Sequence, residues 1–267
     1  MDGRRVFALV LRQTYLIRGS VSRLVPLFIW VAIDMVLWGF MTRYLNTVTS
    51  PGFDFVPVLL GAVLMWDFFV RVMQGVTLAF FEDVWSRNFL NIFASPLSVV
   101  EYLAALVVSS IMTSTVGLVI MLTLATAVFG LSFFAYGVAL VPFVLVLFTF
   151  GIAIGIIGCA VVLRLGPSAE WFIWPIPALL SPFAGVFYPI ATLPAWMQLI
   201  ARLLPPSYVF EGMRAIVLRR PFHMASLAVG AVLSVAAVMI ACGIFTRVYR
   251  HAVRTGLIAR YSAESVS

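Results

Sequence analysis

The 267-residue chain contains no lysine; all 17 of its basic residues are arginine. That absence removes the P-loop route to ATP hydrolysis, because G-x-x-x-x-G-K-[ST] needs its lysine to reach the β/γ-phosphates. It also removes Schiff-base chemistry, which needs an amine. Charge is scarce altogether, at 10% of residues against roughly 25% in a soluble domain. Two cysteines and two histidines complete the short list of reactive side chains. Cys159 and Cys242 lie inside apolar runs without a C-x-x-C, and His223 and His251 stand far apart, so neither a disulfide nor a metal site is expected. H-E-x-x-H and G-x-S-x-G are missing. The adjacent Glu82 and Asp83 project in different directions on a helix and make a poor acid/base pair. The chain is therefore not expected to be an enzyme or to bind a cofactor of its own.

Hydrophobic residues make up 63% of the chain, well above a water-facing domain. Apolar stretches of about 18 residues or more fall at 24–41, 56–81, 102–129, 136–163, 171–188 and 224–246. Each can satisfy its backbone internally as a helix, as the hydrocarbon demands, and the ten-residue alternation of a membrane barrel is absent. The expected fold class is an all-α integral membrane protein, one domain over residues 1–267 with six transmembrane helices. The first 23 residues carry five arginines and no A-x-A cleavage site follows the first run, so that run reads as an anchor and not as a cleaved leader. An even number of spans puts both ends on one side. With the ends inside, eleven arginines are cytoplasmic and five are outside: Arg43, Arg202, Arg214, Arg219 and Arg220. The bias favours a cytoplasmic (inner) membrane protein with both termini in the cytoplasm. The net charge of +7 is read as orientation, with contacts to anionic membrane lipids, and not as nucleic-acid binding.

Three segments stand outside the spans. Within residues 1–23, Val6, Phe7, Val10 and Ile17 fall on one arc and Arg4, Arg5 and Arg12 on another, the pattern of an interfacial helix along the membrane. Residues 82–98 alternate charge with large apolar side chains and stop at Pro96, giving a short amphipathic cytoplasmic helix. Residues 189–223 hold two short apolar helices. The first begins near Pro194 and is halted by Pro205 and Pro206, and the second is capped by Ser207. Both are too short to span, so the pair reads as re-entrant on the outer side. Residues 247–267 form a cytoplasmic tail.

Charges inside the spans carry the strongest functional signal, because an aspartate near a helix centre costs about 2.5–3.5 kcal/mol on insertion scales. Asp34 has no opposite charge within one turn and must face another helix or a wet cavity. A translocation path and a structural bond to a neighbouring helix account for it equally well. Asp67 and Arg71, at i and i+4, can pair on one face, which favours structure over cargo contact. Gly151, Gly155 and Gly158 supply the small-xxx-small spacing of close helix approach, with packing inside one subunit weighed above a dimer seam.

The order of these parts resembles a known family. An arginine-rich interfacial helix, six spans, an amphipathic helix ending at Ala94–Ser98 with Glu101 and Tyr102 beyond, and the outer residues Gly185, Phe187, Tyr188, Pro189, Leu193, Pro194, Trp196, Leu204, Pro205, Glu211 and Arg214 resemble the membrane subunit of type-2 ABC exporters. The resemblance covers nearly the whole chain and is most specific over 185–214. It implies a permease subunit that pairs as a homodimer and is driven by two copies of a separate ABC ATP-binding subunit, which holds ATP and Mg. It also implies that residues 82–98 act as the coupling helix, with Glu82, Asp83, Trp85, Arg87, Asn88 and Asn91 toward the ATPase. Phe187, Tyr188, Trp196, Glu211 and Arg214 would form an outer gate, and Asp34, Asp67 and Arg71 would belong to the translocation path between the second and fifth spans. The stretch Arg87–Leu90 departs from the Gly-Thr-x-Glu-like pattern of many members. The implied cargo is a lipid-linked saccharide, a polysaccharide, a drug or another hydrophobic compound. The aromatics Phe183, Phe187, Tyr188 and Trp196 near the exit lean the expectation toward a saccharide conjugate. An ion-coupled secondary transporter, using charges such as Asp34, and a non-transporting assembly scaffold are the competing readings.

Overall fold

The computed structural model describes residues 2–19, 21–48, 56–86, 91–92, 95–131 and 133–256. Every regular element among them is helical. Nine α-helices are described: α1 (Gly3–Arg18), α2 (Val21–Val48), α3 (Gly61–Trp85), α4 (Val99–Phe129), α5 (Leu140–Leu165), α6 (Ile176–Ala184), α7 (Ala195–Ala201), α8 (Pro205–Val217) and α9 (Met224–Arg254). Among the described residues, four helical stretches are long and apolar enough to cross a membrane: Val58–Trp85, Val99–Phe129, Tyr136–Leu165 and Met224–Arg254. At 28 residues, α2 matches them in length.

Helix α3 is the centre of the bundle. Most of its circumference is buried, with Leu64, Phe69, Val72, Val76 and Phe80 excluded from solvent, while a stripe through Asp67, Arg71, Gln74 and Glu82 is half-buried. On one side it meets α4, where the Ser110 hydroxyl donates to the Val72 carbonyl at 2.9 Å. On the other it meets α5 along the glycine stripe. A methyl group at Gly151 would stand 2.9 Å from Val72 Cβ, and one at Gly155 would stand 2.7 Å from Val76 Cβ and 2.9 Å from the Met73 carbonyl. The stripe therefore brings two helix backbones of the same chain together. Helix α9 runs along α5, with Ser234 Oγ 3.3 Å from the Val146 carbonyl, and reaches α3 through Phe245 against Phe80.

These pairings make α3, α5 and α9 parallel and α4 antiparallel to them. Helix α4 starts at a capping box in which Ser98 accepts from the Glu101 backbone and Glu101 accepts from that of Ser98. It ends at Gly130, whose φ of 66° suits a residue without a side chain. Large side chains on α2 (Val36, Leu37, Phe40), α4 (Val116, Val119) and α9 (Val232, Met239, Ile240) are exposed. An apolar surface of this extent is the exterior of a protein that has lipid or a second membrane chain as its neighbour.

Four expectations from the sequence are corrected. The fifth apolar run is not one α-helix. Pro167–Phe172 forms a tight 3-10 turn, a bend follows, and α6 has only nine residues. Pro175 and Pro177 each remove a backbone donor, so the ladder cannot run straight through. Residues 82–85 do not start a separate helix; they continue α3 to Trp85, because no breaker separates them from the apolar run. On α1 the inward stripe is Val6, Val10 and Gln13, while Phe7 is 65% exposed; the helix packs on α4 at Ala105. Finally, Ser207 does not cap α8. Pro205 opens that helix and Leu204 is its cap residue. The Ser207 hydroxyl lies 2.7 Å from the Ala201 and Leu204 carbonyls, toward which it donates.

Candidate functional site

Three groups of polar residues, at different depths of the bundle, coincide with the expected site residues. The first lies where α1, the C-terminal turn of α3 and the N-terminal turn of α4 meet, at the arginine-rich end. Asp83 is 1% exposed. Its carboxylate accepts from the Arg12 guanidinium and from the Tyr102 hydroxyl, the latter at 2.8 Å. Glu101, also buried, accepts from the Asp2 backbone N–H at 2.6 Å and lies 3.6 Å from Arg5 Nη1, while Arg5 also donates to the Pro96 carbonyl. Asp83, Arg5 and Arg12 are thus spent within the chain, holding α1 in place. Arg4 is exposed. Of the remaining residues expected to meet a partner, Trp85 is 48% exposed and its indole N–H donates to Glu170 at 3.0 Å. Glu82 is half-buried and Asn91 exposed. Arg87 and Asn88 lie outside the described residues, as does the tail from residue 257.

The second group lies partway along α2 and α3. Asp34 of α2 and Asp67 and Arg71 of α3 act on one another electrostatically. Folding thus gives Asp34 an opposite charge that α2 does not supply within one turn of it. The Arg71 side chain lies against Gly117 of α4, where a methyl group would stand 3.2 Å from Arg71 Cδ. Its Nε is buried and has no hydrogen-bond partner among the described residues. All three side chains are half-buried, which places the group at the edge of the bundle core. Toward its C-terminal end, the α2 helix that carries Asp34 meets the end of α4. There Arg43 donates to the Val128 carbonyl at 2.8 Å and stands over the Phe129 ring.

The third group is at the opposite end, where the chain turns at Gly185 (φ 69°) into α7 and α8. Arg214, with its side chain 12% exposed, stands 2.9 Å from Glu211 and donates to the Gly185 carbonyl at 2.7 Å. Glu211 also accepts from the Ile190 backbone N–H at 2.7 Å. The two charges staple the 185–190 turn to α8 and satisfy backbone groups that have no helical partner. Phe187 stacks on Trp38 of α2, centroids 5.2 Å apart. Tyr188 donates to the Pro182 carbonyl, and the exposed Trp196 meets Phe183 edge-on.

Replacing Arg214 by methionine is expected to loosen this turn selectively, since hydrogen bonds to charged groups are worth about 1.5–3 kcal/mol. Amide hydrogen exchange at Ile190 should accelerate by roughly tenfold or more while exchange in α3 stays unchanged. Equal exchange at Ile190 would show that the staple does not hold the turn.

The structure thus brings Glu211 to Arg214, and Asp34 to Asp67 and Arg71. It separates Phe187, Tyr188 and Trp196 onto different partners. Trp38, Tyr102, Glu101 and Gly117 were not expected as participants. Glu101 was legible as the S-x-x-E signature Ser98–Glu101. Trp38, Tyr102 and Gly117 carry no local signal, because their partners are remote in sequence.

A helical chain with four candidate spans among the described residues, buried charge inside the bundle and short proline-bounded helices beyond it is a multi-pass membrane protein. The family profile described as "ABC-2 type transporter" matches residues 5–218, and the chain belongs to that family. Its membrane domains are permeases, generally non-catalytic, that pair with an ABC ATP-binding subunit. A search of curated proteins returned no match.

Proposed function

We propose that the chain is the permease subunit of an ATP-driven exporter in the cytoplasmic membrane, with both termini in the cytoplasm. It works as a homodimer with two copies of an ATP-binding subunit that holds ATP and Mg, and it moves a lipid-linked saccharide, a polysaccharide or another hydrophobic compound outward. The observation that carries the reading is the family match over residues 5–218, in a chain whose arginines cannot serve as a P-loop lysine. The exposed surface at Trp85 and Asn91 is where the ATP-binding subunit docks. Its closure displaces the arginine-rich end of α3 together with α1. The cargo path runs past Asp34, Asp67 and Arg71 and leaves beneath the stapled turn of Phe187, Tyr188, Trp196, Glu211 and Arg214.

Purification in mild detergent is expected to recover an ATP-binding subunit in one-to-one ratio, and vesicles containing the complex should move cargo only with hydrolysable ATP. The intramembrane group favours one rival, an ion-coupled carrier, because titratable residues in a membrane can carry a coupling ion. Transport by the chain alone under a proton gradient without nucleotide would establish that rival and overturn the exporter. In the ATP-driven complex, Asp34→Asn is expected to leave assembly intact and to lower transport. Wild-type transport by this variant would assign Asp34 to packing.

A further inference from the structure

The join between α1 and the rest of the bundle is held by charge more than by apolar packing. Among the described side chains, Val6 and Val10 of α1 enter a buried cluster with Ala105, and the partly buried Leu9 packs beside it; so few small side chains bury too little surface to fix a 16-residue helix. A small cavity at this join is bordered by Arg12, Asp83 and Tyr102 together with Leu9, Gln13 and Ser109. The polar contacts, in contrast, run the length of the helix. Asp2 and Arg5 hold Glu101. Seven residues on, two turns along the same face, Arg12 holds Asp83. Beside it, Gln13 Nε2 donates to the Ala79 carbonyl at 3.1 Å.

The two acids sit on different helices, Asp83 at the end of α3 and Glu101 at the start of α4. Tyr102, fully buried, ties these two ends together by donating to Asp83. A carboxylate as buried as Asp83 cannot be left without its cation, because breaking such a pair exposes an uncompensated charge to a low-dielectric interior. The join therefore resists intermediate positions: α1 either rides with α3 and α4 or the pair is broken.

Resting on the exporter reading, we propose that Arg12, Asp83 and Tyr102 form the linkage through which α1 and the adjoining ends of α3 and α4 move as one body when the ATP-binding subunit closes. Arg12 is a positioning residue in this scheme; it touches neither cargo nor nucleotide. An amphipathic helix with Phe7 and Tyr15 turned outward lies in the membrane interface. Dragging it with α3 converts a push on the α3 end into a displacement at the interface, so each cycle of the partner moves membrane-embedded helices and is not dissipated in a loose cytoplasmic turn.

The quantity to measure is cargo moved per ATP hydrolysed in vesicles containing the full complex. Arg12→Gln is expected to keep ATP hydrolysis within about twofold of wild type while cargo per ATP falls by roughly tenfold. Arg12→Lys should recover part of the ratio, and Tyr102→Phe should fall between. An unchanged ratio in Arg12→Gln overturns the linkage. Should that variant fail to assemble, a cross-link decides. In a background with Cys159→Ala and Cys242→Ala, Val10→Cys and Ala105→Cys place thiols in the shared apolar cluster of α1 and α4. Joining them should leave cargo per ATP as in the uncross-linked protein, because the two helices move together. A cross-linked complex that hydrolyses ATP but no longer transports would show that α1 slides during the cycle, and would sink the proposal. Absence of any nucleotide-dependent transport in the wild-type complex is a different failure, which removes the exporter reading and the linkage with it.

Discussion

Replacing Arg71 by leucine is expected to strand Asp34 and Asp67 inside the membrane without a cation, and the variant should lose most of its folded, monodisperse population in detergent. Removing one partner of a buried charge group typically costs about 3–5 kcal/mol, a large fraction of the 5–15 kcal/mol that holds a typical domain together. The group is half-buried, so the lower end of that range applies. The remedy follows from the same physics. Adding Asp34→Asn and Asp67→Asn to Arg71→Leu removes the stranded charges, and this triple variant should recover assembly though not transport. Thermal midpoints and size-exclusion profiles of the single and triple variants check both statements. If Arg71→Leu is as stable as wild type, the two carboxylates reach water, and the electrostatic account of this part of α2 and α3 is wrong.

The second large effect is steric. Gly155→Leu places a branched side chain where a single methyl group would already stand 2.7 Å from Val76 Cβ and 2.9 Å from the Met73 backbone carbonyl. Backbone cannot step aside as a side-chain tip can, so α5 must separate from α3. Overpacking of one site costs about 1–3 kcal/mol, and here a whole helix pair is disturbed, so unfolding or aggregation on extraction is expected. A graded series tests this reading. Gly155→Ala should lower the thermal midpoint measurably. Gly158→Ala, which meets only side-chain carbons of Thr77 and Ile173 at 3.1–3.2 Å, should lower it less. Gly243→Ala meets nothing within 4 Å and should be neutral or slightly stabilising, since alanine is the better helix former. If Gly155→Leu lowered only the dimer fraction and not the stability of the subunit, the stripe would be a seam between copies.

Much of the architecture was legible because membrane insertion is a strong and local constraint. Long apolar runs must become helices wherever they occur, and the runs at 56–81, 102–129, 136–163 and 224–246 did so, the last continuing as helix to Arg254. The proline-bounded pair after residue 193 was legible for the same kind of reason, since a missing N–H acts at its own position. The family resemblance rested on the 185–214 stretch, and the profile match covers that stretch in full. The fifth run shows where length and composition mislead. Its residues are as apolar as those of a spanning helix, but Pro175 and Pro177 interrupt the ladder, and α6 is left with nine residues.

The site residues divide along a similar line. Spacing along one helix exposed the Asp67 and Arg71 pair, and the local order of glycines exposed the stripe on α5. The sequence by itself determined that this is a helical membrane chain without a P-loop lysine, because composition, apolar run length and the missing lysine act one residue or one segment at a time. Only the tertiary structure decided that Asp83 faces inward to Arg12 and Tyr102, that Asp34 finds Arg71 on another helix, that Trp38 meets Phe187, and that the glycines serve α3 and not a second copy. Those choices depend on the rotation of each helix about its own axis. That rotation is set by how neighbouring surfaces fit, and no pattern along a single helix records it.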